Sequence, residues 1–155
     1  MNEQQFWNII ESFDWSLQGD DHAVMQPAID QLAQLGLDGI RMFDEILAEK
    51  LYALDTRQHA QNTGLGDDDD PEDMFLYIRC CVVANGRQFY EQVLNDPSQM
   101  PGDVDFEPLL LLTRDAAERL GIEDYWSDTD LSYETFSNEE GWEEDFSPDD
   151  LPAET

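Results

Sequence analysis

A chain of 155 residues, 41% hydrophobic and 11% aromatic, is long enough for one domain with a real core, which excludes wholesale disorder. Its 37 acids against 7 Lys and Arg leave a net charge of −30. A surface that negative repels phosphate backbones and anionic lipid headgroups, so nucleic acid and membrane are set aside as partners and a basic protein is favoured.

Asn2 followed by Gln5 reads as a capping box, and Phe6, Ile9, Ile10, Phe13 and Leu17 recur at helical spacing, predicting a first helix closed by Gly19. A second helix is expected over about residues 21–35, its regular part beginning near Pro27 and its stripe made by Ile29, Leu32 and Leu35. Asp38 then caps a third, in which Ile40, Phe43, Leu47, Leu51 and Leu54 keep a sustained helical period. A polar connection follows over residues 58–70. Asp70, Pro71, Glu72 and Asp73 mark a strong helix start, because acids at an N-terminus face the positive end of the helix dipole. Phe75, Ile78, Val82 and Val83 supply that helix's apolar face. Asn85-Gly86 breaks it before Phe89, Tyr90, Val93 and Leu94 resume the pattern up to Pro97. Asp105 is expected to cap a last helix over residues 106–120, closed by Gly121. No run of strand length alternates, so the reading is all-α, a compact bundle of about five to six helices.

Composition changes after Gly121. Residues 122–155 hold 13 acids and no Lys or Arg, with Tyr125, Trp126, Tyr133, Phe136, Trp142 and Phe146 among them. The chain therefore divides into a helical domain, residues 1–121, expected to fold without the remainder, and an acidic aromatic tail, residues 122–155. Six aromatics are more than solubility requires, so the tail is either a strap docked on the domain or a segment that folds against a partner.

Chemistry-bearing motifs are scarce. Cys80 and Cys81 are adjacent, project about 100° apart on a helix, and read as reduced core residues. The acids from Asp67 to Asp73 lack the alternating ligands of a calcium loop, and His22 and His59 lack zinc-site spacing, so no metal and no cofactor are implied. Ser12, Ser16, Ser98 and Thr113 sit outside any nucleophile motif, and no glycine-rich phosphate cradle appears. An enzyme is not expected. Arg57, His59, Arg79 and Arg87 are the grouped bases: the first reading gives Arg79 and Arg87 internal ion pairs that fix helix packing, the second makes the four an anion pocket. The longest apolar run, residues 109–112, is too short for a bilayer, and the opening MNEQQFWN lacks a signal peptide's basic and apolar segments, which predicts a cytoplasmic protein.

Phe6-Trp7, Met74-Phe75-Leu76-Tyr77-Ile78-Arg79-Cys80, the stretch from Val82 through Gly86-Arg87 to Tyr90-Glu91, and Leu94-Asn95-Asp96-Pro97-Ser98 together resemble a bacterial family of small proteins, domain of unknown function 4240. The family's features are an F-W helix, an acidic turn, an F-x-x-F-R type helix, a G-R-x-x-F/Y-E element and a D-P-S/D end. Here they cover about residues 3–120, with Tyr77-Ile78-Arg79 in place of the usual aromatic-Arg pair. The resemblance implies a helical domain ending near Gly121 and carries no activity with it.

The expected function is inhibition of a basic protein by an acidic binding protein, of the immunity or nucleic-acid-mimic type, acting on a toxin or a nucleic-acid enzyme. Trp126, Tyr133, Phe136 and Trp142 are the candidate anchors, and Glu139, Glu140, Glu143, Glu144 and Asp145 the mimic charge. The alternatives are an acidic adaptor with no inhibitory role, and a small enzyme with a pocket around His59, Arg79 and Arg87.

Overall fold

In the computed structural model, which describes residues 1–65 and 71–143, the Asn2 side chain accepts the Gln5 N–H at 2.8 Å and the Gln5 side chain accepts the Asn2 N–H at 3.0 Å, so α1 (Glu3–Ile10) starts with both orphan donors satisfied. It buries Phe6, Trp7, Ile9 and Ile10. The helix ends well before Gly19. The Ser12 hydroxyl donates to the Ile9 carbonyl at 2.6 Å, and Asp14 caps a short 3-10 turn, Trp15–Leu17. These local side-chain bonds compete with continued helix, which is why Phe13 and Leu17 fall outside it.

α2 (Asp21–Ala53) joins the second and third expected helices into one kinked element. Asp20 caps it, and Val24 and Met25 are buried ahead of Pro27, so regular helix begins before the proline rather than at it. The break falls at Gly36, whose φ of 79° and ψ of −178° only glycine adopts cheaply, and Asp38 lies within the second half instead of capping it. Beyond the kink, Ile40, Phe43, Leu47 and Leu51 are buried as their spacing requires. Burying each such side chain is worth about 1.5–3 kcal/mol.

The polar connection contains a further short helix, α3 (Arg57–Gln61), capped by Thr56. α4 (Pro71–Ala84) starts at the proline, while Asp70 lies outside the described residues. Phe75, Ile78, Arg79, Cys80, Val82 and Val83 are buried along α4; burial pushes both cysteine thiols up, and both are free. Gly86 separates α4 from α5 (Arg87–Asn95), as the Asn85-Gly86 break predicts. The expected last helix is divided. Phe106, not Asp105, occupies its cap position, held by its N–H on the Tyr77 carbonyl at 3.1 Å; a 3-10 segment (Glu107–Leu111) containing Pro108 precedes α6 (Leu112–Arg119). Gly121 follows α6 where expected. α2 forms the spine, with α1, α4 and α6 packed on it, and a seventh helix, α7 (Glu139–Glu143), rests on α3. The fold is all-α, with no strand among the described residues, where no helix is long and apolar enough to cross a membrane.

Candidate functional site

Residues 122–143 run back across the bundle, held by three acids, Asp44 and Glu45 of α2 and Asp55 just after it, and by Arg79 of α4. Asp44 lies on the inner face of α2, 5% exposed, between Ile40 and Leu47. It accepts hydrogen bonds from the hydroxyls of Thr113 at 2.9 Å, Ser127 at 2.8 Å and Tyr125. Burial pushes its carboxyl above the ordinary carboxylate range, and the three hydroxyls pull the other way. Beside it, Glu45 accepts the Asp130 N–H at 2.7 Å.

Asp55, fully buried where α2 ends, accepts the backbone N–H groups of Phe136 at 3.1 Å and Asn138 at 3.0 Å and the Trp142 indole N–H at 2.9 Å. The bond to Phe136 holds that residue at φ 78°, a conformation costing a non-glycine residue about 1–3 kcal/mol. Arg79, also fully buried, donates to the carbonyls of Leu51 at 2.9 Å and Tyr133 at 3.0 Å and to the Thr135 hydroxyl at 3.0 Å, over the face of Phe75. Burial lowers the Arg79 pKa, and the negative charge of Asp55 opposes that shift. One guanidinium thus joins the end of α2 to the strap through neutral acceptors.

The four grouped bases do not gather into an anion pocket. His59 is buried, with Nε2 donating to the Val93 carbonyl at 2.9 Å, which leaves Nδ1 to accept from Thr56 at 2.7 Å; burial depresses its pKa and keeps it neutral. Arg79 is engaged as described. Arg87 is surface-exposed, paired with Glu91 at 3.0 Å, so of the two expected internal ion-pair donors one bonds carbonyls and a hydroxyl and the other pairs in solvent. Arg57 lines a cavity of about 500 Å³ with Leu65, Phe75, Thr135, Phe136 and Trp142, while Arg87 lines a separate one with Glu11 and Glu91.

The candidate anchors separate in the same way. Tyr133 packs against the core, and Trp142 does so with its indole edge-on to Phe136 at 4.5 Å. Phe136 is 50% exposed and Trp126 80% exposed. Glu139 and Glu140 are exposed on α7 and Glu143 ends it, while Glu144 and Asp145 lie outside the described residues. Among the described residues no cluster of His, Cys, Asp or Glu is arranged to hold a metal ion.

Asp44 and Asp55, the acids that organise the site, are not distinguished in the sequence reading. Asp44 carries a signal, since it shares the apolar face of Ile40, Leu47 and Leu51 at helical spacing. Asp55 carries a weaker one, four residues after Leu51 but past the end of the helix, where the period no longer constrains it.

Fold and site together define a small all-α domain closed by its own acidic strap. Within that class, the chain belongs to the family described as protein of unknown function (DUF4240), whose model matches residues 1–135. The match runs past Gly121 and takes in Tyr133 and Thr135, both partners of Arg79. No curated protein and no solved structure matches the chain.

Proposed function

We propose that this is a non-enzymatic acidic binding protein of the bacterial cytoplasm that covers the cationic surface of a basic protein and inhibits it, as an immunity protein or a nucleic-acid mimic does. The observation that carries the reading is where the bases go. Of the seven, Arg79 is buried, Lys50 pairs with Glu3 at 3.0 Å, Arg87 with Glu91 at 3.0 Å and Arg119 with Asp30 at 2.6 Å. Little positive charge is left to offset 37 acids, so the field outside the domain is negative on nearly every side. Such a field steers a cationic partner and repels an anionic one. A small enzyme built on His59, Arg79 and Arg87 draws no support from the geometry, because the three do not line one pocket: His59 and Arg79 are buried and bonded within the fold, and Arg87 pairs with Glu91.

The test is affinity capture at low salt followed by assay of the captured partner. The expected partner is basic, is released as salt rises, and loses its own activity when one equivalent of this protein is added. An acidic or neutral partner, or a basic one whose activity is unchanged in the complex, would overturn the reading, the second outcome in favour of the adaptor.

A further inference from the structure

Trp126 is the most exposed large apolar side chain described, at 80%, and it stands between two hollows. On one side is a cavity of about 470 Å³ between α2 and residues 122–128, with Asp44 and Glu45 on the α2 wall and Asp124 and Asp128 on the strap. Arg41 is the one base on that lining, against four acids. On the other side a smaller hollow of about 270 Å³ is bordered by Leu110, Leu111 and Arg114, and Leu111 is itself 40% exposed.

An exposed indole costs solvation free energy unless something covers it, and the strap does not need it: Tyr125 and Ser127 on either side make the bonds to Asp44. The tryptophan is therefore a projecting apolar face beside a carboxylate-lined hollow. That combination fits a side chain with an apolar stem and a cationic head, its head among the acids and over the indole face, its stem toward Leu111. The cavity has more than enough volume for one such side chain.

We propose that the hollow between Trp126 and α2 receives an arginine or lysine side chain of the basic partner, with Trp126 as the central anchor of the interface. The inference rests on the reading above and places its contact on the 122–128 part of the strap, away from Trp142, with Tyr133, which the fold uses itself, bordering only the smaller hollow. Asp124 and Asp128, both exposed, supply the charge at the rim, while Asp44 and Glu45 hold the wall through their bonds to the strap.

The probe is a hexa-arginine peptide, titrated at low salt into the ¹⁵N-labelled full chain, with hexa-glutamine as the neutral control. The indole N–H resonances of Trp7, Trp15, Trp126 and Trp142 report position. The Trp126 resonance is expected to move most and that of Trp142 to stay. Trp126→Ala should weaken binding about tenfold or more, the scale of an interface anchor. Asp124→Asn with Asp128→Asn should weaken it several-fold and flatten its salt dependence, whereas Glu139→Gln with Glu140→Gln, the same charge removed from α7, should leave the Trp126 response intact. Trp126 is too exposed for its loss to unfold the domain, and a melting curve of the variant verifies this. Shifts spread over the acidic surface, with Trp126→Ala binding as tightly as the parent, would sink this site and leave the acidic-binder reading standing. Absence of hexa-arginine binding even at low salt would sink both.

Discussion

Replacing Asp55 by alanine removes one carboxylate and strands three donors, the N–H groups of Phe136, Asn138 and Trp142, while leaving the buried Arg79 without the nearby negative charge that favours its ionised form. Three hydrogen bonds to a charged acceptor, at about 1.5–3 kcal/mol each, set a ceiling of about 4.5–9 kcal/mol. The strap can lift and let water reach the stranded groups, so the loss is bounded by the free energy of docking and should come to about 3–5 kcal/mol, as for breaking a buried charged pair. In a chain of this length that lowers Tm by about 6–20 °C. Asp55→Asn keeps one oxygen for Phe136 and Trp142 and loses the acceptor for Asn138, so it should fall between. Thermal melting by circular dichroism gives the magnitude, and amide exchange gives the place: protection of Phe136 and Asn138 should collapse while Phe43 and Leu47 in α2 stay protected. A Tm within 2 °C of the parent (well below the predicted fall), with both strap amides still slow, would refute the assignment of Asp55 as the strap's anchor.

Truncation after Gly121 should not leave an intact helical domain, contrary to what helix punctuation suggests, because it removes Tyr125 and Ser127 from Asp44, Tyr133 and Thr135 from Arg79, and the three donors described for Asp55; the measurement is whether a cooperative melt survives. Asp44 has a raised folded pKa, so its contribution is full below the unfolded value of about 3.9 and is lost as pH rises through the folded one. Melting temperatures measured across that window should rise on acidification, and Asp44→Asn should reduce the rise. A Cβ at Gly141 would meet the Asp55 carbonyl oxygen and Thr56 Cγ2 at 2.9 Å each, so Gly141→Ala should push α7 off α3, cost about 1–3 kcal/mol and shift the Trp142 indole resonance.

What the sequence made legible follows from how each feature is encoded. Periodic burial gave α2 beyond Gly36, α4 and α5, because Phe43, Leu47, Phe75, Val82 and Val93 repeat an inward-facing register that any packing must honour. Boundaries were harder wherever a side chain bonds its own backbone: Ser12 and Asp14 end α1 early, and Pro108 turns the start of the last helix into 3-10. α3 escaped because five residues hold too little periodicity to register. The site was least legible. Among the described acids, the two that matter are the buried ones, each bonded to residues more than 65 positions away, and neither burial nor such a bond is a local property.

The strap carries net negative charge onto a domain that is also negative, and the bonds described explain how it stays. Asp44, Glu45 and Asp55 accept from hydroxyls, backbone N–H groups and an indole, all neutral donors, while Arg79 donates to carbonyls and a hydroxyl. The ion pairs of Lys50 with Glu3 and Arg119 with Asp30 lie outside this network, and the exposed Arg119 pair contributes little. Buried attractions such as Arg79 with Asp55 are screened little, so the main effect of salt on the docked strap is to screen repulsion between exposed like charges, whose reach shrinks to about 8 Å at physiological ionic strength. Raising salt should slow exchange of the Phe136 and Asn138 amides and raise Tm, while weakening capture of a basic partner over the same range. Had the strap been held by ion pairs, both effects would run in one direction. Opposite responses of the intramolecular and intermolecular contacts would show that the negative field is directed outward, and that the fold holds its own acidic segment by hydrogen bonds that leave this field intact.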